Sequence, residues 1–318
     1  MPETIVTGGR HGLPYSKGLM AQSLSASGLA PERAYELAQV IELRLGDRAE
    51  TTIEVQRLRE LAAAVLTELE DDGAVRRFLD WQRVDRLERP LVVLLAGAPG
   101  VGKSTLATML AHRLGVTRVI ATDAVRQVIR AFFSVEFMPA VHFSSFEAGG
   151  GLDAHALGGT DPDIAGFIRQ AESVRTGVEA IMDRAIKEQQ SMVLEGVHLI
   201  PGSIREELRA RCIPVHAVVT VDDQELHRGH FSLRGAERPA TRYLDRFEQI
   251  RKLQAHLVQR AEEAGVPIVD NVNLDRALSQ TMALVLDAVA DAAPSKGPER
   301  RSVGEERNSE PGHPFHEG

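Results

Sequence analysis

Between about Arg89 and Ala292 short apolar runs alternate with longer segments in which apolar residues recur every three or four positions. The runs Leu91–Ala96, Arg118–Thr122, Ser191–Glu195, Pro214–Val221 and Val266–Asp270 are rich in β-branched residues and predict strands. They are largely uninterrupted rather than alternating, which predicts a parallel sheet buried on both faces by the helices between its strands. Before Arg89 the pattern differs. Glu3–Thr7 predicts a strand, Gly8–Gly12 a turn, and the series Leu37, Val40, Ile41, Leu45 and Leu58, Leu61, Val65, Leu66, Leu69 predict helices. Ser16 or Ser27 is placed to cap a helix and Pro31 to open one. After Ala293 apolar residues nearly vanish, which predicts a disordered tail. The chain therefore divides into a small, mostly helical unit over residues 1–88, an α/β unit over 89–292 and a tail over 293–318.

Composition narrows this picture mainly by exclusion. The 318 residues are 43% hydrophobic and 26% charged, an ordinary globular balance. A single cysteine, Cys212, excludes an intrachain disulfide and any cysteine-built zinc or redox centre. The net charge of −8 argues against a general nucleic-acid binder. No apolar run approaches the length of a membrane span, and Met1–Thr4 lacks the charged and apolar regions of a leader. A soluble, cytoplasmic protein with no nucleic-acid or membrane partner is expected. Oligomeric state is not legible.

The strongest chemical signal is Gly97-Ala98-Pro99-Gly100-Val101-Gly102-Lys103-Ser104, which fits G-x-x-x-x-G-K-[ST] without a mismatch. It follows the strand Leu91–Ala96 and precedes the helical series Leu106, Met109, Leu110 and Leu114. Glycines let successive N–H groups turn inward on phosphate oxygens, and the helix dipole adds positive potential. Lys103 would reach the β- and γ-phosphates, and the Ser104 hydroxyl would complete a Mg²⁺ shell. Residues Gly97 to Thr105 are thus candidate nucleotide contacts. The guanine-reading Asn-Lys-x-Asp pattern is absent, which favours ATP. Asn273, after the last strand, could contact a purine or cap the following helix.

Phosphoryl transfer to a small molecule further needs an acceptor pocket and a cationic cover. Asp123, directly after the second strand, could accept a hydroxyl proton, and Arg126 one turn on could bind an anion. The plainer alternative makes Asp123 a helix cap and Arg126 a surface residue. Glu195 ends the third strand and could hold Mg²⁺ with Ser104; an acid there is costly without a cation or donors. His142, Ser144 and Ser145 suit an anion, and His198 could meet phosphate or simply be a satisfied core histidine. The run His227–Arg242, with Arg228, Arg234, Arg238 and Arg242, has the position and charge of a lid.

Taken together, Gly97–Ser104, Thr122-Asp123-Ala124-Val125-Arg126, His142–Phe146, Leu194–Gly202 and Asp270–Asn273 resemble 2-phosphoglycerate kinases. The stretch from Arg242-Tyr243 to Leu257 is similar to the helix that follows the lid in that family. The resemblance implies a three-layer P-loop kinase domain using ATP and Mg²⁺ to phosphorylate the 3-hydroxyl of 2-phosphoglycerate, giving 2,3-bisphosphoglycerate. It implies catalytic roles for Lys103, Asp123, Arg234 and Arg238, with Arg228 and Asn273 toward the nucleotide. Arg126, His142, Ser144, Ser145 and His198 would then face the small phosphorylated acid. The N-terminal stretch resembles an ATP-cone, carried by Ile5-Val6, Leu13–Lys17, the helix from Ala34 and Thr51–Leu66; the basic run near the start is replaced by Thr7–Arg10. A kinase for another phosphorylated hydroxy compound, such as an inositol phosphate, and a nucleotide-sensing regulator remain the alternatives.

Overall fold

The computed structural model describes residues 4–8, 11–47, 51–82, 89–151, 161–233 and 240–292. The remainder, including the 293–318 tail, lies outside the described residues. Two hydrophobic cores form, one among residues from Met20 to Phe78 and one among residues from Leu91 to Val289.

The larger core is built on five parallel strands: β4 (Leu91–Ala96), β5 (Val119–Ala121), β6 (Met192–Gly196), β7 (Ile213–Thr220) and β8 (Ile268–Asp270). Their spatial order is β5-β6-β4-β7-β8. Every residue of β4 and β6 is buried, as continuous apolar runs require. Helices cover both faces. Over one, α5 (Lys103–Leu114) packs with α12 (Leu274–Ala292); over the other, α7 (Pro162–Lys187) packs with α6 (Thr122–Phe132) and α11 (Phe247–Ala264). This is a three-layer α/β arrangement. Two helices, α9 (Gln224–Leu233) and α10 (Ala240–Asp245), and a short one, α8 (Glu206–Arg209), complete it.

Register decides where the chemistry falls. Ala96 of β4 pairs with Gly196 of β6 and Val218 of β7, and Ala121 of β5 pairs with Glu195. The carboxyl ends of the strands therefore share one edge. The chain leaves β4 for the distant strand β5 and crosses back over β4 to reach β7, so the strand order reverses beside β4, the place where open α/β sheets bind ligands.

The smaller core is helical with an unforeseen sheet. Ser16 caps α1 (Lys17–Ala26) through Leu19 N, and Pro31 opens α2 (Pro31–Asp47). These are followed by α3 (Val55–Leu69) and α4 (Asp72–Trp81). The expected first strand, β1 (Ile5–Gly8), pairs antiparallel with β2 (His11–Pro14) and parallel with β3 (Thr52–Glu54). Both extra strands are too short for periodicity to reveal, and β2 includes residues read as turn. Helix α1 packs on α5 and α4 on α12, and Gln22 donates to the His112 carbonyl at 3.2 Å. That contact lies at the end of α5 remote from the phosphate loop.

Leu94 is at 1% exposure in the middle strand of this sheet. Leu94→Ala is expected to cost about 2–5 kcal/mol, through lost transfer free energy and an uncollapsed cavity, read as a lower urea midpoint.

Candidate functional site

The phosphate loop joins the C-terminal end of β4 to the N-terminus of α5. Three of its glycines take positive φ: Gly97 at 156°, Gly100 at 90° and Gly102 at 80°. A side chain at any of them also meets an occupied wall. A Cβ on Gly97 would lie 2.6 Å from the Val219 carbonyl oxygen, on Gly100 2.4 Å from Phe231 Cζ, and on Gly102 2.4 Å from Asn271 Nδ2. Side chains from outside hold the loop's carbonyls. His227 Nε2 bonds Pro99 O at 2.8 Å, His230 Nδ1 bonds Gly100 O at 2.9 Å, and Asn271 Nδ2 donates to Val101 O at 2.9 Å. Lys103 Nζ donates to Ala98 O at 3.2 Å. With carbonyls tied outward, the arrangement can present loop amides to an anion.

Beside this loop a cavity of about 620 Å³ opens at the carboxyl edge of the sheet. It gathers Pro99, Lys103, Ser104, Asp123, Arg126, His142, Ser144, Ser145 and Glu195, residues expected at the site from four separate stretches of sequence. Glu195 is buried at the end of β6, and its Oε1 accepts from Ser104 Oγ at 2.9 Å. A buried carboxylate bonded to a serine hydroxyl keeps lone pairs for a cation. Among the described residues no cluster of three or more histidine, cysteine or acidic side chains forms a metal cage. A two-oxygen seat beside a phosphate loop suits Mg²⁺, which retains water and takes phosphate oxygens as ligands, and does not suit zinc.

Asp123 lies in the first turn of α6, whose N-cap is Ala121, so it is not a capping residue. Burial raises its carboxyl, but the positive charges of His198, Arg126 and Lys103 outweigh this and hold it below the usual carboxylate range. His198 is neutral near physiological pH, so Arg126 and Lys103 are the charges that act there. Arg126 is buried, not a surface residue. Its Nη1 donates to Val141 O and Phe143 O, each at 3.1 Å, and its Nε to Asp123 at 3.3 Å. The guanidinium is thereby fixed at the cavity wall with the loop that carries His142 to Ser145. His142 itself bonds Phe133 O at 2.9 Å.

Three expectations fall elsewhere. His198 does not line this cavity. It is 2% exposed, its Nδ1 faces Thr122 Oγ1 at 2.8 Å and its Nε2 faces Gln170 Oε1 at 3.0 Å, so it is a satisfied core histidine. Asn273 caps α12, accepting from Arg276 N at 2.9 Å. Arg228 lies over the Phe247 ring at 4.3 Å and 4.0 Å from Glu248, and it is not among the residues lining the cavity. Arg234 and Arg238 lie outside the described residues.

Other residues take their places. Asn271 and His230 line a cleft of about 270 Å³ with Gly100, Gly102 and Thr105, on the other side of the loop. Asn271 Oδ1 is buried without a hydrogen-bond partner. Gln127 and Arg130 join the large cavity. Arg130 follows Asp123 and Arg126 at helical spacing, a signal the sequence contained. The cavity thus sets four full cations, Lys103, Arg126, Arg130 and Arg242, against two acids, Asp123 and Glu195, within a chain of net charge −8.

Comparison with known proteins settles the family. The chain is 36% identical over 277 residues to the 2-phosphoglycerate kinase of Methanopyrus kandleri, covering 86% of this chain and 84% of the relative. The chain belongs to the 2-phosphoglycerate kinase family. The family's Pyrococcus furiosus member, also named 2-phosphoglycerate kinase, is 33% identical and covers 93% of this chain and 97% of its own. The Zeta toxin family model matches residues 76–145, which include the phosphate loop and α6. A gluconokinase from Sinorhizobium meliloti 1021 covers 64% of this chain and 93% of its own at 17% identity, with a TM-score of 0.36. Membership makes the protein a P-loop phosphotransferase. None of the described helices is long and apolar enough to cross a membrane.

Two predictions follow from this geometry. Gly100→Ala must place a Cβ at positive φ against Phe231 and His227, and is expected to weaken nucleotide binding by at least about 2 kcal/mol. Gly229→Ala, where a Cβ meets nothing within 4 Å, should leave it unchanged; titration with a fluorescent ATP analogue checks both. The second prediction concerns acid. Burial pushes His198, His216 and His227 each down to about 4. Unfolded histidines bind protons below about 6.5, so between there and 4 the unfolded state takes up protons that the folded state does not. Stability should be full above about pH 6.5 and fall toward pH 4, visible as a steep drop in urea midpoint.

Proposed function

We propose that the chain transfers the γ-phosphoryl group of ATP to the 3-hydroxyl of 2-phosphoglycerate, giving 2,3-bisphosphoglycerate and ADP. The observation that carries this reading is the cation-rich cavity placed against the phosphate loop. A nucleotide sensor needs the loop but has no use for a second anion pocket, and a kinase acting on an uncharged sugar has no use for Arg126, Arg130 and Arg242 together. The names of the relatives supply the acceptor: a small acid carrying a phosphate and a carboxylate.

In this mechanism Lys103 and the loop amides hold the β- and γ-phosphates, and the base occupies the cleft beside Asn271 and His230. Ser104 and Glu195 would hold Mg²⁺, which would neutralise charge on the phosphate oxygens. Arg126, Arg130 and Arg242 bind the acceptor's anionic groups. The Asp123 carboxylate, held below the usual carboxylate range by its cationic neighbours, is ionised at neutral pH; it orients the acceptor hydroxyl and takes its proton as the phosphoryl group is transferred. The acceptor oxygen attacks the γ-phosphorus, the bond to the β–γ bridging oxygen breaks, and ADP leaves with that electron pair. Positioning and electrostatics supply most of the rate, as is general for this chemistry.

The test is ADP release with a panel of acceptors: none, 2-phosphoglycerate, glycerate, shorter phosphorylated hydroxy acids and inositol phosphates. The reading requires 2-phosphoglycerate to stimulate release most. Lys103→Ala should lower that activity by about 10²-fold or more, and Asp123→Asn should lower kcat by a similar factor with ATP KM little changed. Slow release indifferent to every acceptor would replace the kinase by a nucleotide sensor. Preference for an inositol phosphate would keep the chemistry and change the substrate.

A further inference from the structure

The acceptor side of the cavity is closed by a contact between segments far apart in sequence. Arg242, on α10, donates from Nη2 to Ser144 Oγ at 3.0 Å and forms an ion pair with Glu147. Arg246 reaches the other carboxylate oxygen of Glu147 at 3.5 Å. Around this pair the rings of Phe146 and Tyr243 meet at 5.6 Å, and Tyr243 stacks on Phe231 at 5.1 Å. Phe231 in turn presses on Gly100 of the phosphate loop.

Glu147 sits on a stiff base. Its 3-10 turn, Ser145–Gly151, lies so close to α7 that a Cβ on Gly166 would come within 2.3 Å of the Ala148 carbonyl carbon. Its side chain is 21% exposed, whereas that of Arg242 is 57% exposed. A long, exposed arginine loses rotamer freedom when it binds an anion, and a fixed carboxylate removes much of that cost in advance.

Place decides the sign of the effect. Arg242 and Ser144 line the cavity, and Glu147 is not among its lining residues. The carboxylate therefore stands behind the guanidinium. A guanidinium has five N–H donors in a planar fork, so it can hold Glu147 and still present donors to an incoming anion.

We propose that Glu147 is a positioning residue for acceptor recognition: it orients Arg242 over the cavity and ties α10 to the acceptor loop. This rests on the kinase reading for its substrate, but the tether itself does not. Amide hydrogen exchange of α10, measured without nucleotide or acceptor, reads the tether alone. Exchange there should be several-fold faster in Glu147→Gln than in the unaltered protein, with the melting temperature maintained; unchanged exchange overturns the proposal whatever the substrate. Steady-state kinetics with 2-phosphoglycerate read the consequence. Acceptor KM should rise about tenfold in Glu147→Gln, the loss of one charge-assisted hydrogen bond, while ATP KM stays within about twofold. Glu147→Asp should recover part of the loss, and Glu147→Gln combined with Arg242→Gln should be no worse than Arg242→Gln alone. A lower acceptor KM in Glu147→Gln would make the carboxylate a competitor of the substrate, and an unchanged one would deny it any part in recognition. If the unaltered protein ignores 2-phosphoglycerate, the substrate assignment fails and the exchange result stands by itself.

Discussion

Everything at this site depends on keeping one short backbone loop in a shape that would be strained for almost any other sequence. Gly97, Gly100 and Gly102 take positive φ, and each abuts a different part of the fold: β7, α9 and the turn after β8. The loop's carbonyls are bound from two of these directions, by His227 and His230 of α9 and by Asn271 of the turn after β8. Burial pushes His227 down to about 4, so it is neutral at physiological pH and can donate one N–H to Pro99 O without bringing a positive charge to the loop. These walls hold the loop from its outer side, which leaves its inner amides for a phosphate.

The parallel register turns that local device into a site. Because β4, β5 and β6 end together, Ser104, Asp123 and Glu195, widely spaced in sequence, face one cavity. Charge is then partitioned by place. Acid dominates the chain as a whole, whereas this cavity gathers a surplus of arginine and lysine. Arg126 shows how such a charge is made useful: two backbone carbonyls and Asp123 fix it, so little freedom is left to lose on binding. The N-terminal unit touches α5 near His112, at the end of that helix remote from the phosphate loop, and none of its described residues lines the cavity.

Much of this was legible in the sequence because its causes are local. A buried parallel strand must be apolar on both faces. The five runs are the five strands, but only β4 and β6 are buried throughout, while the edge strands β5 and β8 expose Val119 and Ile268. The phosphate loop was legible because its glycines are demanded by backbone geometry. What escaped notice depends on tertiary placement. His198 and Asp123 both follow strands, yet one turns into the core between Thr122 and Gln170 and the other faces the cavity. Asn271 and Asn273 are two residues apart in one turn; the first reaches the loop and the second caps a helix, a division no spacing rule makes. Glu147 has no motif at all, since its partners are Arg242 on α10 and Arg246 at the start of α11, about a hundred residues away. The strands β2 and β3 exist only through their pairing with β1.

The account's central claim is that the cation-lined cavity presents a phosphorylated hydroxy acid to the γ-phosphate of ATP. Phosphorus-31 NMR of the protein with ATP, Mg²⁺ and 2-phosphoglycerate tests it most directly. The claim predicts a new phosphomonoester resonance, that of a 3-phosphate, growing in step with ADP as the ATP signals decline. ADP appearing together with inorganic phosphate, and no new ester, would contradict it.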